Sequence, residues 1–236
     1  MKTKILGICG SPIKNGNTQV FLEESLKGAE EVSGTEAELI SLAGMRVSDC
    51  IHCNYCALRQ KEDDFCSLKD DVKDLYPKML EADGYLFASP VYFTRMSGVM
   101  ACFLDRMRAI THGSYYRMRI AGKAAGVLSV IWMRNSGAET CLLSMIQAIL
   151  LFQAYPVTAG MDSVYGAVGF SSLKGENILD KDNRSDKHLV KRDLFGMSIA
   201  RKIGSNTAEL AKILKAGKET LMAQGEKIGL TGFRDQ

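Results

Sequence analysis

The strongest constraint on the fold is an alternation of short apolar runs and helix-forming segments. Five such runs occur along the 236 residues, at Ile5–Cys9 and at residues 37–42, 85–88, 124–130 and 155–160. Short apolar runs that alternate with helices predict a doubly wound α/β protein with a parallel sheet. Because 46% of the residues are hydrophobic, an ordinary packed core is possible, and we expect one domain over residues 1–236.

The charge balance and the apolar runs argue against two classes of partner. The chain has 30 Lys and Arg against 27 Asp and Glu, a dispersed net charge of +3, whereas nucleic-acid binding needs a concentrated basic surface. No apolar run approaches the roughly 18 residues of a membrane helix. The first residues also lack a secretory pattern. We therefore expect a cytoplasmic protein whose thiols stay reduced and available as metal ligands.

Four of the seven cysteines lie close together, at Cys50, Cys53, Cys56 and Cys66. Three thiolates spaced C-x2-C-x2-C with a remote fourth suit a [4Fe–4S] cluster, whereas structural zinc more often has two separate C-x2-C pairs. Zinc, disulfides and free thiols are the alternatives. The nine-residue gap before Cys66 requires a loop that folds back. We call residues 48–70 the cysteine loop.

The polar loop Ser11–Thr18 follows the first apolar run and opens a helix, a pattern that predicts an anion site, most naturally for a phosphate. The loop has no Gly-Lys-Ser/Thr ending, and Gly7-x-x-Gly10 does not make the dinucleotide fingerprint. The second run also ends without the acidic residue that binds a dinucleotide ribose. A mononucleotide remains. The alternative is a plain strand-to-helix turn with Asn17 as N-cap.

Two further loops are expected at the same sheet edge, where doubly wound sheets bind their ligands. Tyr92 and Phe93 follow the third run and suit a flat ligand, and Trp132 and Arg134 follow the fourth. Arginine can bind a carbonyl or phosphate oxygen. Alternatively, the aromatic rings cover the sheet edge and the arginine lies in an exposed turn. The glycine-rich residues 161–169 resemble a loop near a ligand or a partner. The cysteine loop follows the second run, so we expect it at this edge too.

The helix signals give more local expectations. Asp70 is expected to cap a helix that Pro77 interrupts, and Ser97 to cap the helix after the third run. Residues 136–139 have the spacing of a capping box. Residues 171–236 are expected to form a polar excursion followed by a helical region, with a break at Gly204. Cys9, Cys102 and Cys141 have apolar neighbours and are interpreted as buried packing thiols, and the three histidines as surface residues.

Together these motifs resemble the iron–sulfur flavoprotein family, part of the wider group of NAD(P)H-dependent FMN reductases with a flavodoxin-like fold. The motifs in order are Gly10-Ser11-Pro12-x-Lys14-Asn15-Gly16-Asn17-Thr18, Cys50-x2-Cys53-x2-Cys56 with Cys66, Asp70-Asp71, Ser89-Pro90-Val91-Tyr92-Phe93 and Arg134-Asn135-x-Gly137-x-Glu139-Thr140. The resemblance covers roughly residues 1–170. It implies a five-stranded parallel sheet of order 2-1-3-4-5, bound FMN and a [4Fe–4S] cluster on the four cysteines. It also implies homodimers or homotetramers in which a cluster approaches the flavin of a neighbouring subunit.

The resemblance also implies three groups of flavin-binding residues. Those that would hold the phosphate are Ser11, Lys14, Asn15, Asn17 and Thr18. Those that would contact the isoalloxazine are Pro90, Val91, Tyr92 and Phe93 on one side and Arg134, Asn135, Ser136 and Gly137 on the other, with Tyr165 and Gly166 lining the same pocket. Three features depart from the family pattern: the long gap before Cys66, a lysine at position 14 where arginine is common, and Pro77.

The predicted function follows from the two cofactors, FMN and the [4Fe–4S] cluster. FMN exchanges electrons singly or as a hydride-derived pair, whereas the cluster exchanges one at a time. We therefore expect an electron-transfer oxidoreductase with no catalytic side chain of its own, which takes electrons from NAD(P)H or a ferredoxin-like protein and passes them to a quinone, oxygen or a peroxide. The alternatives are an FMN or quinone reductase without a cluster, and a non-enzymatic mononucleotide-binding module with structural zinc.

Overall fold

The structure, a computed structural model, describes residues 2–172 and 188–226. Its strands are β1 (Thr3–Cys9), β2 (Thr35–Ser41), β3 (Gly84–Tyr92), β4 (Arg95–Met96), β5 (Ala124–Ile131), β6 (Tyr155–Val157) and β7 (Ala167–Phe170). Its α-helices are α1 (Asn17–Glu30), α2 (Tyr55–Leu58), α3 (Tyr76–Glu81), α4 (Gly98–Arg106), α5 (Arg108–Thr111), α6 (Ala138–Leu151) and α7 (Leu194–Ala223). Short 3-10 helices cover Asp71–Asp74, Gly160–Asp162 and Leu189–Arg192.

The central sheet confirms the expected architecture. Its strand order is β2-β1-β3-β5-β6, and these neighbours pair in parallel. Since β4 is only a short hairpin partner of β3, this is the order 2-1-3-4-5 of a flavodoxin-like fold. Ile8 of β1 pairs with Ile40 on one side and with Phe87 on the other. The carboxyl ends of β1, β3 and β5 therefore lie side by side.

The fifth strand position is shared by two short strands, which corrects the expected strand at residues 155–160. β6 pairs with residues 124–126 of β5, and β7 pairs with residues 128–131. The chain leaves the sheet after Val157, forms the 3-10 helix Gly160–Asp162 and returns at Ala167. Gly166 makes this return possible for two reasons. Its φ of 141° is a backbone conformation that favours glycine, and a Cβ at this position would lie 2.3 Å from the Val127 carbonyl oxygen. Residues 167–169, expected in a loop, therefore belong to a strand.

Two layers of helices cover the sheet. Along β3, Tyr85 and Phe87 face the layer with α3, α4, α6 and the cysteine loop, whereas Leu86 and Ala88 face α1 and α7. This alternation follows from the two-residue period of a strand. Both faces are buried, which explains why the strands appear in the sequence as continuous apolar runs.

The close packing of α1 against α7 corrects the expected break in the C-terminal helix. α7 runs without interruption from Leu194 to Ala223. Gly204 faces α1, where a Cβ would overlap the backbone carbonyl of Ser25, and Gly28 makes the reciprocal close contact with Arg201. Gly204 is therefore explained by the close approach of the α1 and α7 backbones and not by a bend in α7.

Pro77 does not interrupt a helix either. The 3-10 helix Asp71–Asp74 is followed by α3, and Pro77 lies in the first turn of α3, where the missing N–H has no intrahelical partner to lose. Asp70 caps the 3-10 helix as expected, because its carboxylate accepts a hydrogen bond from the Val72 N–H at 3.3 Å. The expectation that Pro77 interrupts a helix is therefore wrong, and the expected cap at Asp70 is confirmed.

Two expectations concern the ends and exterior of the chain. The expected polar excursion, apart from Ser171 and Ser172, and nearly all of the C-terminal tail lie outside the described residues. Within residues 2–172 and 188–226, no helix combines the length and the apolar character that crossing a membrane requires.

Candidate functional site

The loop after β1 is fixed against the start of α4 at the carboxyl edge of the sheet. The Gly10 N–H donates to the Ala88 carbonyl at 2.8 Å, and the Ser97 hydroxyl donates to the Gly10 carbonyl. A Cβ on Gly10 would lie 2.6 Å from the Cβ of Met100, so only glycine fits there. Ser97 also caps α4 as expected, because its hydroxyl accepts from the Met100 N–H at 3.2 Å.

The beginning of α1 offers an anion site at this edge. α1 begins at Asn17 with Gly16 as N-cap and no side-chain cap, so its first N–H groups have no partner within the helix. The Asn17 amide oxygen instead accepts from the Val190 N–H at 2.9 Å, and Asn15 bonds to Gln19. These two asparagines therefore shape the loop. Ser11 and Thr18 are buried beside it, and Lys14 is exposed.

A strained hairpin forms the second loop. Phe93 and Thr94 are the two central residues between β3 and β4, with φ of 47° and 64°. Such a turn normally contains Asn-Gly, and positive φ at aromatic or β-branched residues costs about 1–3 kcal/mol each. The Phe93 ring is nevertheless 97% exposed, and Tyr92 is also exposed. Strain that presents an aromatic ring to solvent at the ligand edge is typical of a binding surface.

The third loop lies directly against this hairpin. Gly137 has a φ of 96°, and a Cβ there would lie 2.5 Å from the Cα of Thr94. Gly137 is the N-cap of α6, so the expected capping box at Ser136 is wrong. The Ser136 hydroxyl is instead buried without a hydrogen-bond partner among the described residues, and Arg134 and Asn135 are exposed. An unpaired buried hydroxyl at this edge is suited to a polar ligand atom.

The remaining predicted flavin residues are distributed differently. Pro90 is buried within β3, and Val91 is half-buried near its end. Tyr165 and Gly166 precede β7 and lie level with the middle of β5, because Ala167 pairs with Leu128. The backbone of these last two residues is therefore not at the carboxyl edge. Ser171 and Ser172 are there, since they bond to the Ile131 and Trp132 carbonyls, and the sequence analysis did not single them out.

The cysteine loop folds back on itself, as the nine-residue gap requires. Gln60 is the buried centre of this turn: its amide N–H groups donate to the carbonyls of Phe65 and Ala109 at 3.0 and 2.8 Å. Its amide oxygen accepts from the N–H groups of Tyr115 and Tyr116 at 3.1 and 3.0 Å. The Phe65 ring stacks on Tyr116 at a centroid distance of 4.3 Å. These contacts fix the residue immediately before Cys66.

The four thiols of this loop occupy different environments. Cys56 is buried, Cys50 and Cys66 are half-buried, and Cys53 is exposed. Burial raises the pKa of Cys56, the positive charge of Arg108 opposes this effect, and the charges of Cys66 and Cys50 add to it. Hydrogen bonds from Ser67 and from the Tyr55 N–H lower the pKa of Cys53. Across the described ranges, no three His, Cys, Asp or Glu side chains are grouped so that they could hold a metal ion.

Two arginines flank these thiols. Arg106 is 1% exposed and bonds through Nη1 to Asp70, at 2.6 Å, and to the Ser48 carbonyl, at 3.2 Å. Its Nε and Nη2 are buried and have no partner within the described part of the chain. Arg108 places Nη1 3.8 Å from the Cys56 sulfur. A cation beside one thiol and unused N–H donors close to the loop suit an anionic iron–sulfur group, whose sulfurs accept such hydrogen bonds.

α4 contacts both the loops at the sheet edge and the base of the cysteine loop. Ser97, which precedes α4, bonds to Ser89 and Gly10 at the sheet edge, whereas Arg106, its last residue, bonds to Ser48 in the cysteine loop. The nine residues of α4 span about 13 Å at the usual helical rise. α4 therefore links the sheet edge to the base of the cysteine loop, and the expectation that this loop lies beside the first bound group stays a prediction.

Comparisons with known proteins decide the family. Residues 3–163 match the family model described as NADPH-dependent FMN reductase. An iron–sulfur flavoprotein from Methanocaldococcus jannaschii is 34% identical over 214 residues, covering 90% of this chain and 99% of that protein. The chain belongs to the iron–sulfur flavoprotein family, within the NADPH-dependent FMN reductases. As a member of this family it is a flavin-dependent oxidoreductase, and the family match supports FMN as its flavin.

Two further comparisons agree with this family assignment. An iron–sulfur flavoprotein from Archaeoglobus fulgidus is 34% identical over 191 residues, covering 80% of this chain and 94% of that protein. Among solved structures, RosB with bound 8-demethyl-8-formylriboflavin-5′-phosphate superposes with a TM-score of 0.67 at 15% identity, covering 99% of this chain and 91% of that one. At that identity the likeness to RosB supports the flavodoxin-like fold alone.

The expectation of buried packing thiols is confirmed for two of the other three cysteines and is wrong for Cys102. Cys9 and Cys141 are buried as expected, and burial raises the pKa of Cys9 to about 11 and that of Cys141 to about 12. Thiols with such high pKa values stay protonated at neutral pH, and a protonated thiol is a poor metal ligand. Cys102 is only half-buried. His52, His112 and His188 are exposed, as expected.

Proposed function

We propose that this iron–sulfur flavoprotein family member is an FMN- and [4Fe–4S]-dependent electron-transfer oxidoreductase that converts between two-electron and one-electron chemistry. The observation that carries the proposal is the folded-back cysteine loop of a family member: Gln60 holds the residue before Cys66, and Arg108 lies 3.8 Å from the Cys56 sulfur. Thiolates gathered next to cations and free N–H groups suit an iron–sulfur cluster better than a disulfide or a zinc site.

The flavin would occupy the three loops at the carboxyl edge. The first N–H groups of α1, with Ser11, Lys14 and Thr18, would hold the FMN phosphate, and Asn15 and Asn17 would keep that loop in shape. The hairpin at Phe93 and the turn at Gly137 would flank the ring, and the unpaired Ser136 hydroxyl would bond to its polar edge. Bound FMN supplies hydride and single-electron transfer, and the cluster supplies single-electron transfer.

The partners follow from this chemistry. NAD(P)H or a ferredoxin-like protein would supply electrons, and a quinone, oxygen or a peroxide would accept them. The proposal includes a homodimer or homotetramer in which a cluster approaches the flavin of a neighbouring subunit. A cytoplasmic location is part of the proposal, since reducing conditions preserve thiolate ligands.

The test is a chemical analysis of protein purified without oxygen. We expect one FMN and about four iron atoms per chain, with absorption from both groups. The Cys66→Ala variant should lose iron and keep FMN, whereas Cys102→Ala, which removes a thiol outside the cysteine loop, should keep both. Flavin without iron in the unmodified protein would favour an FMN or quinone reductase without a cluster. Zinc without a chromophore would favour the mononucleotide-binding module.

A further inference from the structure

The most informative feature outside the proposed ligands is a pair of arginines at the junction of α4 and α5. Arg106 ends α4 and Arg108 begins α5, and both reach the cysteine loop. Their charge balance differs. Arg106 is neutralised by Asp70, whereas no ion pair joins Arg108 to a carboxylate among the residues described. Arg108 therefore brings an uncompensated positive charge to the thiols.

The position of Arg108 is fixed by a neutral partner. Nη2 donates to the amide oxygen of Asn54 at 2.7 Å, while Nη1 lies 3.8 Å from the Cys56 sulfur. Asn54 has a φ of 60°, a conformation that asparagine adopts more readily than most residues. Arg108 thus contacts the cysteine loop at Asn54, a residue between Cys53 and Cys56, and at the sulfur of Cys56.

We propose that Arg108 is a positioning residue that sets the reduction potential of the cluster, an inference that rests on the proposed function. An all-thiolate cluster is an anion and gains one more negative charge when it is reduced. A fixed cation 3.8 Å from one ligand sulfur stabilises the reduced state more than the oxidised state. Arg108 therefore raises the potential. Arg106 adds buried N–H donors near Cys66, but its ion pair with Asp70 leaves little net charge.

The experiment compares three variants of the full-length protein purified without oxygen. Arg108→Gln removes the charge and keeps a planar amide donor, and Arg108→Lys keeps the charge. Arg59→Gln removes an exposed arginine from the same loop, where water screens the charge. For each protein, the iron and FMN contents are measured first. The reduction potential of the cluster is then measured by a redox titration that is monitored by electron paramagnetic resonance.

We expect Arg108→Gln to keep iron and FMN and to shift its reduction equilibrium at least about tenfold toward the oxidised state, which is 59 mV for one electron. Arg108→Lys should recover most of this shift, and Arg59→Gln should show little. Loss of iron in Arg108→Gln but not in Arg108→Lys would also support a role for the charge.

Other outcomes would overturn the inference. A potential in Arg108→Gln equal to that of the unmodified protein, with iron retained, would show that the charge has no effect on the cluster. Equal losses of iron in Arg108→Gln and Arg108→Lys would assign Arg108 a role in loop shape through Asn54. Absence of iron from the unmodified protein would instead overturn the proposed function itself and this inference with it.

Discussion

Arg106 and Asp70 form a buried ion pair, with the guanidinium Nη1 2.6 Å from a carboxylate oxygen. Asp70 also accepts hydrogen bonds from the N–H groups of Ser48, at 2.9 Å, and Val72, at 3.3 Å. Because Ser48 precedes Cys50 and Asp70 follows Cys66, one carboxylate joins the two ends of the cysteine loop. The loop is thus closed at its base by Asp70 and folded at its centre by Gln60.

Replacement of Asp70 by asparagine should destabilise the protein strongly. The change leaves the Arg106 charge buried without its counter-ion, and breaking a buried pair in this way costs about 3–5 kcal/mol. The measurement is the free energy of unfolding from chemical denaturation. Asp71→Asn is the matched control, since Asp71 pairs with the exposed Arg46 and should matter much less. Equal losses in the two variants would contradict the importance of the buried pair.

The same carboxylate predicts a pH dependence of stability. Burial alone would raise the pKa of Asp70, but hydrogen bonds from Arg106 and Ser48 outweigh burial and hold the pKa below its usual value. A carboxyl with a lowered folded-state pKa stabilises fully above its unfolded pKa of about 3.9 and loses this contribution as the pH falls through the folded-state pKa. The difference in unfolding free energy between the unmodified protein and Asp70→Asn should therefore shrink in acid. A difference that stays constant from neutral pH into acid would refute this.

The contact between α1 and α7 predicts opposite effects for two glycines of one helix. A Cβ on Gly204 would overlap the Ser25 carbonyl, so Gly204→Ala should force the helices apart and cost about 1–3 kcal/mol. Gly217 faces open space within the described structure, so Gly217→Ala should stabilise α7 by about 0.5–1 kcal/mol. Thermal unfolding measures both. Stabilisation by Gly204→Ala would mean that α7 does not approach α1 as closely as described.

Several features could be predicted because they depend on local sequence. The doubly wound parallel sheet and the polar loop before α1 follow from apolar runs and from the glycine, hydroxyl and amide residues between them, whereas the strand order was implied by the family resemblance. The Ser97 and Asp70 caps were predicted for the same reason. Each of these signals lies within a few residues of the structure that it specifies.

The wrong expectations concern contacts between distant segments. Gly204 looks like a helix break in the sequence, and only the structure shows that the Ser25 backbone lies against it. Similarly, Gly166 allows the chain to return to β5 as a second short strand because it lies against the Val127 carbonyl. Arg106 had a usable signal: it lies next to Phe103 and Met107 on the apolar face of α4, where a charge must have a buried partner. The sequence could not identify Asp70 as that partner.

Gln60 predicts a link between the shape of the cysteine loop and its metal content. Gln60→Leu keeps a similar volume but removes the hydrogen bonds of Gln60 to the Tyr116 N–H and to the Phe65 and Ala109 carbonyls. Each buried group left unpaired costs about 1–3 kcal/mol, so we expect lower stability and loss of iron with FMN retained. Gln147→Leu, at an exposed position of α6, is the control. Full iron content in Gln60→Leu would show that Cys66 does not depend on this turn.

Gly137 predicts how the two ring-facing loops cooperate. In Gly137→Ala the new Cβ would meet the Thr94 backbone at 2.5 Å, and the φ of 96° would be strained as well. The hairpin that carries Phe93 must therefore move away from α6. Because a loss of 1.4 kcal/mol is a tenfold loss of affinity, strain of this kind should raise the Kd for FMN about tenfold or more.

The measurement is a fluorescence titration of FMN into flavin-free protein, with thermal unfolding to confirm that the variant is folded. Gly98→Ala is the matched control: Gly98 is the first residue of α4, near the same edge, and a Cβ there meets no atom of the described structure within 4 Å. It should bind FMN as the unmodified protein does. If both alanine variants bind FMN equally well, the contact between Gly137 and Thr94 does not shape the flavin site.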